Sequence, residues 1–423
     1  MKNKNIAWSA AEILLPDFKK TDGTRWAVVA CDQFTSEEYY WESVKKTVGD
    51  APSTLSMILP EVYLSETETR VPVINRRMRE ILEKHLISYP NAMIYLERTQ
   101  SDGTVRRGII GAVDLECYDY RAGSDSLIRA TEGTVLERIP PRVAIRRDAP
   151  LELPHIMLLI DDPHKTVIEP LIPTHTDVAP LYDFDLMEGG GHVKGFLLSN
   201  DEQDNIAKSL EALITEEAIG ERYGDSSLAP LLFAVGDGNH SLATAKAAYE
   251  EVKACIGVEA AKNHPARYAL AEVVNLHDAS INFEPIYRVV FNCNPTALLS
   301  DLKAYLASLD GTAKPQAIHY VSAGAEGDLT VNTPVCQLAV GTLQTFLGDY
   351  AKAHPEVEVD YIHGEDSLCE LAKKKNAIGF LFEGMRKDEL FRTVIYDGAL
   401  PRKTFSMGHA RDKRYYLECR KIK

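Results

Sequence analysis

The sequence predicts an α/β protein of the α+β, mixed-sheet kind, with a larger core carrying insertions over residues 1–295 and a smaller α/β domain over 296–423. Three observations predict it. Residues 231–252 (LLFAVGDGNHSLATAKAAYEEV) run from a short apolar stretch through a glycine-bearing turn into apolar positions at helical spacing. Residues 156–160 (IMLLI) have the length and composition of a buried strand. From Thr296 onward, helix and strand patterns alternate regularly.

The first of these stretches organises the functional reading. Leu231 to Val235 make a strand bounded upstream by Pro230, and Gly236, Asp237, Gly238 and Asn239 then tolerate positive φ, with Asp237 or Asn239 able to cap the next helix. From Ser241, Leu242, Ala245, Tyr249 and Val252 fall on one helical face. A helix opening just after such a loop presents free amides and the positive end of its dipole, an anion site by construction. His240 and Ser241 lie at its mouth as donors, and Lys246 lies farther along. The glycine spacing matches neither the P-loop nor the dinucleotide fingerprint, so two readings stay open: a capped turn without ligand, or a phosphate cradle.

Composition excludes some classes of function. A formal charge of −15 and a pI near 5.3 argue against broad adhesion to nucleic acid or anionic membrane, although a local basic cleft remains compatible. Seven scattered cysteines without a Cys-x-x-Cys indicate a reducing compartment. The first apolar stretch is broken by Glu12 and Pro16, and no run reaches the length of a membrane span, so a cytoplasmic protein is expected.

In chain order, residues 26–31 (WAVVAC) read as a first buried strand that delivers Asp32 at its end, followed by a helix over 37–48. Asp32 is either a site carboxylate or a helix cap. Residues 74–86 read as a helix, and 92–98 with 105–114 as a hairpin around Ser101-Asp102-Gly103. The densest basic stretch, 129–147, holds Arg129, Arg138, Arg142, Arg146 and Arg147 among prolines that argue against a helix. It is either an anion site or a surface loop paired with surplus carboxylates. Asp161 and Asp162 end the strand 156–160, placed to share a hydrated Mg²⁺ or simply to open a turn. The glycines of 188–195 suit a lid or a linker, and 201–223 reads as one amphipathic helix. Glu272 lies inside the apolar strand 268–274, as a general base or as a buried ion partner of Arg267 or Arg288. Residues 284–291 read as a strand of the first domain. In the second, 299–309 and 343–354 read as helices, 319–322, 338–340 and 377–382 as strands, and 361–366 as a helix start. The tail carries a basic run, 401–406, and a strand, 415–422, which either returns to the main site or docks as a solvated edge.

These residues also carry a resemblance. Asp237-Gly238-Asn239-His240-Ser241, followed by Ala243 and Ala245, resembles the Asp-Gly-x-His-Arg-x-x-Ala motif of the ParB/sulfiredoxin-like fold. Residues 26–40, 132–162, 267–275 and 400–422 extend it to one branch, the domain-of-unknown-function 1015 family. Ser241 stands where the motif has arginine, a donor without charge. The resemblance implies a ParB-like core and a phosphotransferase, first of all a free L-serine kinase of serine and phosphoserine metabolism that uses ATP or ADP with Mg²⁺. In that picture Gly236, Gly238, Asn239 and Ser241 cradle phosphates, with Asp237 and His240 in catalysis and Asp32 or Glu272 accepting the hydroxyl proton. Arg129, Thr131, Arg138, Arg142, Arg402 and Lys403 bind anions, and Asp161 and Asp162 hold the metal. The expected partners are a nucleotide and a small-molecule substrate, without nucleic acid or membrane, and a homodimer is left open. The alternatives are a ParB-like nucleotide-binding regulator, which the charge and the lack of a helix-turn-helix pattern disfavour, and a phosphoester hydrolase using His240 as base.

Overall fold

The computed structural model describes residues 6–133, 139–153 and 155–423, over which the strands pair into two large sheets and three two-stranded ones. Contacts divide the chain into two compact units. The first comprises residues up to Ala130, the stretch ending at Ile281, and Gly408–Lys423; the second comprises Thr131–Gly133 and Asn282–Met407.

In the first unit a mixed sheet runs in the order Tyr182–Asp185, His192–Leu197, Ile94–Thr99, Val105–Asp114, Tyr268–Asn275, Met157–Ile160, Phe233–Asp237, Ile128–Ala130 and Tyr118–Asp119, with Trp8–Ser9 added on Val105–Asp114. Alternation along the strands builds a core on each face. Ile94 and Leu96 join Trp26 and Trp41 on one side, while Tyr95 joins Trp8, Phe233 and Tyr249 on the other. The expected hairpin is present as Ile94–Thr99 against Val105–Asp114. Met157–Ile160 is central: it runs parallel to Tyr268–Asn275 and antiparallel to Phe233–Asp237, so Met157 lies opposite both Glu272 and Asp237.

Several local expectations give way to packing. Residues 26–31 do not form one strand: Asp22 caps a short helix, Gly23–Trp26, and only Val28–Val29 pairs, with Tyr415–Tyr416 of the chain's last segment. Ile139–Arg147 is a helix despite Pro140 and Pro141, because a first turn needs no amide hydrogen from its leading residues. The expected helix over 201–223 is two, Asn200–Leu213 and Glu216–Tyr223, since Thr215 caps the second through Ala218 N. The glycines near 190 form neither lid nor linker. A Cβ on Gly191 would collide with the Thr99 carbonyl and one on Gly190 with the Tyr415 ring, and His192–Leu197 is a strand of the sheet.

The second unit holds an antiparallel sheet in the order Glu326–Val331, Gln316–Ser322, Ile378–Phe382, Glu284–Phe291 and Glu358–His363, with Phe405–Ser406 on Glu284–Phe291. Glu284–Phe291 therefore belongs to this sheet, which places the division between units at Ile281 and Asn282 rather than near 295. Residues 338–340 run into the helix Ala339–Ala353 rather than a strand, and the helix expected from 361 begins at Glu365, after the strand Glu358–His363.

Glu272 is not a proton acceptor for a substrate. It is fully buried between Arg106 (3.2 Å) and Arg414 (3.4 Å) rather than beside Arg267 or Arg288. Burial would raise its pKa, but the two guanidinium groups lower it, so it is a structural anion. Replacing Glu272 by Gln leaves buried positive charge uncompensated and should destabilise the protein by about 3–5 kcal/mol, read as a shifted denaturant midpoint.

Candidate functional site

The turn between Phe233–Asp237 and the helix Asn239–Ile256 is built around Gly238. This residue is the N-cap, with φ +83°, and a Cβ there would lie 3.0 Å from Ile156 Cα. A glycine cap contributes no side-chain oxygen, so neither Asp237 nor Asn239 caps the helix. Asp237 instead accepts from Gly238 N (3.0 Å) and pairs with Lys413 (3.3 Å). Asn239 Oδ1 is buried with no hydrogen-bond partner among the described residues. His240 and Ser241 are half-buried in the first turn, while Lys246 turns away to the Leu115 carbonyl (2.9 Å) and Glu250 (2.9 Å).

The close approach at Gly238 brings His155 to the loop. Its imidazole is buried, with Nδ1 2.9 Å from the Tyr416 hydroxyl and Nε2 3.3 Å from Ser241 Oγ and 3.5 Å from Asp32 Oδ2. Tyr416 in turn donates to Cys31 Sγ at 3.0 Å. Burial alone would lower the His155 pKa, but the Asp32 carboxylate, with Asp237 behind it, raises it. Burial would likewise raise Asp32, yet His155, Gln33 and Lys413 hold it well below the usual carboxylate range. The Cys31 thiol is pushed up to about 12 by burial and by Asp32, so it stays protonated.

A cavity of about 170 Å³ adjoins this cluster. Cys31, His155, Ser241, Thr244 and Tyr416 line one side, Met57, Ile58, Leu59, Met78 and Ile156 supply apolar wall, and the ion pairs Arg142–Glu61 and Arg146–Glu152 complete it. The arginines reach the wall already matched by carboxylates. Lys413 is likewise matched by Asp237, so the positive end of the helix dipole is what favours an anion here.

The structure brings together Asp32, Gly236, Asp237, Gly238, Asn239, His240 and Ser241, with Arg142 at the cavity wall. Asp161, Asp162 and Arg129 of the same unit are engaged elsewhere. Asp161 and Asp162 leave the opposite end of the sheet from Asp237, because their strand runs antiparallel to Phe233–Asp237. Asp161 is bound by His277 (2.7 Å) and Tyr223 (2.7 Å), and Asp162 accepts from the amides of Thr166 (2.6 Å) and Val167 (2.9 Å), so this pair does not fit a metal. Among the described residues no His, Cys, Asp and Glu group of three or more is arranged to hold one. Buried Arg129 spends its guanidinium on the carbonyls of Ser126 and Ala229, a structural role rather than an anion site. Thr131, Arg402 and Lys403 belong to the second unit, where the Arg402 carbonyl accepts from Arg288 and Lys403 lies over the Tyr361 ring. Arg138 lies outside the described residues. His155, Tyr416 and Lys413 were not singled out in the sequence. The only signal for His155 was its place just ahead of the strongest core strand.

A family model covers residues 16–418, that of a protein of unknown function, DUF1015. The chain belongs to the DUF1015 family. No curated protein matches the sequence. Among solved structures, this DUF1015 chain is similar to a free serine kinase in complex with AMP, at 9% identity over 74% of this chain and 91% of that one, with a TM-score of 0.37. It is also similar to a conserved hypothetical protein from Pyrococcus furiosus (10% identity, 72% and 92% covered, TM-score 0.35). A third is SbnI with a C-terminal truncation from Staphylococcus aureus (10% identity, 71% and 82% covered, TM-score 0.33). Among the described residues of this family member, no helix is long and apolar enough to cross a membrane.

Because folded His155 holds its proton more tightly than the unfolded chain does, its contribution to stability is complete below the ordinary histidine value of 6.5 and is lost as pH rises through the raised folded value. His155→Gln should flatten the alkaline decline of the melting temperature on that side of 6.5, measured by calorimetry across pH.

Proposed function

We propose that the first unit is a nucleotide-dependent phosphotransferase acting on a small hydroxyl metabolite, with free L-serine the first acceptor to try. The observation that carries this reading is the helix Asn239–Ile256, whose N-terminal end carries no side-chain cap and stands beside a cavity lined by Ser241 and His155. Phosphoryl transfer asks chiefly for charge neutralisation and positioning. The positive end of the helix dipole favours a phosphate group, Asn239 offers a buried acceptor, and Asp32 with His155 receives the proton of the attacking hydroxyl. The nucleotide and serine come from the motif's resemblance to the ParB/sulfiredoxin-like kinases, and Ser241 in place of their arginine lowers the charge at the site by one.

Incubation with L-serine, Mg²⁺ and either ATP or ADP should yield O-phosphoserine by mass spectrometry. Asp237→Ala and His240→Ala should each reduce the yield by about 100-fold or more while leaving the melting temperature near that of the parent. If no phosphoryl group leaves either nucleotide for serine or any related small alcohol, the reading fails. Nucleotide breakdown independent of acceptor would favour a hydrolase.

A further inference from the structure

Ser241 is where this chain departs from the motif it otherwise resembles, and the structure gives the substituted hydroxyl a setting of its own. Its Oγ lies 3.3 Å from His155 Nε2, and Asp32 Oδ2 lies 3.5 Å from the same nitrogen. The other face of the imidazole is fixed as well. Tyr416 gives its proton to Cys31 Sγ (3.0 Å), so its oxygen accepts from His155 Nδ1 (2.9 Å). In the neutral ring a hydrogen on Nδ1 leaves an Nε2 lone pair within reach of Ser241 Oγ, and in the protonated ring the Nε2 hydrogen faces Asp32 Oδ2. His155 is only 5% exposed, so bulk water does not compete for that lone pair, whereas Ser241 lines the cavity and is open to a ligand. A nucleophile, a base within reach and a carboxylate that stabilises the protonated base are together what an activated serine requires.

We propose that Ser241 is itself phosphorylated, as a covalent phosphoserine intermediate formed from a nucleoside triphosphate; the inference rests on the phosphotransferase reading and deepens it. Ser241 Oγ attacks the terminal phosphorus, the new O–P bond forms, and the bond from that phosphorus to the bridging oxygen breaks. The nucleoside diphosphate leaves with the bond's electrons, and the hydroxyl proton passes to His155 Nε2, where Asp32 stabilises it. An acceptor hydroxyl then displaces Oγ from phosphorus. His155 returns its proton to Oγ and takes the acceptor's, which goes to solvent. The position suits the product, because Ser241 is the third residue of a helix whose N-cap glycine supplies no side-chain oxygen, and a phosphate there meets the positive end of the helix dipole.

The experiment is intact-protein mass spectrometry of the full chain after ATP and Mg²⁺ without acceptor, followed by peptide mapping and then a chase with L-serine. The expected result is a gain of one phosphoryl group on Ser241, lost in the chase, absent in Ser241→Ala and slowed in His155→Gln. Ser241→Thr, which keeps a hydroxyl, should regain the modification, and circular dichroism of each variant separates loss of chemistry from loss of fold. The inference is overturned if the parent gains no phosphoryl group, if the gain survives in Ser241→Ala, or if folded Ser241→Ala still makes O-phosphoserine at the parental rate. That last outcome leaves the phosphotransferase reading standing. A modified Ser241 that no acceptor discharges would sustain the modification and sink the transfer reading.

Discussion

The site depends on one backbone contact, the antiparallel pairing of Met157–Ile160 with Phe233–Asp237 and the close approach it imposes at Gly238. Met157 lies opposite Asp237, so the segment entering the first strand passes beside the turn leaving the second. Only a residue without a Cβ fits there, at a φ that other residues rarely adopt. The same glycine that admits Ile156 also withholds a capping oxygen from the helix. Steric tolerance and a helix end without a side-chain cap are thus two consequences of one residue.

Charge in this acidic chain is arranged as closed pairs. Arg106 and Arg414 enclose Glu272, Arg146 and Arg420 share Glu152, Arg267 holds Asp114, and Arg142 meets Glu61. Buried guanidinium groups require such partners, because an isolated charge in a low-dielectric interior is costly. The consequence for function is that arginine density along the chain is a poor guide to anion binding here. Around the turn, what favours an anion is the positive end of the helix dipole, and Asp32, His155 and Tyr416, which meet beside it, come from three distant parts of the chain.

Much of the local structure was legible. The strand, turn and helix around residues 231–252, the hairpin at Ser101-Asp102-Gly103 and the strand 268–274 all rest on signals within a dozen residues, and each is present. The failures share a physical cause. Asp161 and Asp162 read as metal holders for the site that contains Asp237, but their strand runs antiparallel to that of Asp237 and carries them to the other end of the sheet. Arg129 read as a ligand-binding residue because one of its carbonyl partners, Ala229, lies far off in sequence. Pro140 and Pro141 read as helix breakers although they occupy a first turn, where proline costs nothing.

By itself the sequence determined the mixed α/β class, the glycine turn with its following helix, and the family, because hydrophobic periodicity and glycine placement act over short stretches of chain. Strand direction, the partners of each buried charge and the meeting of His155 with Ser241 and Asp32 were decided only by the tertiary structure. Those depend on which segments become neighbours across the sheet, and pairing energy between strands is set by contacts that no single window of residues contains.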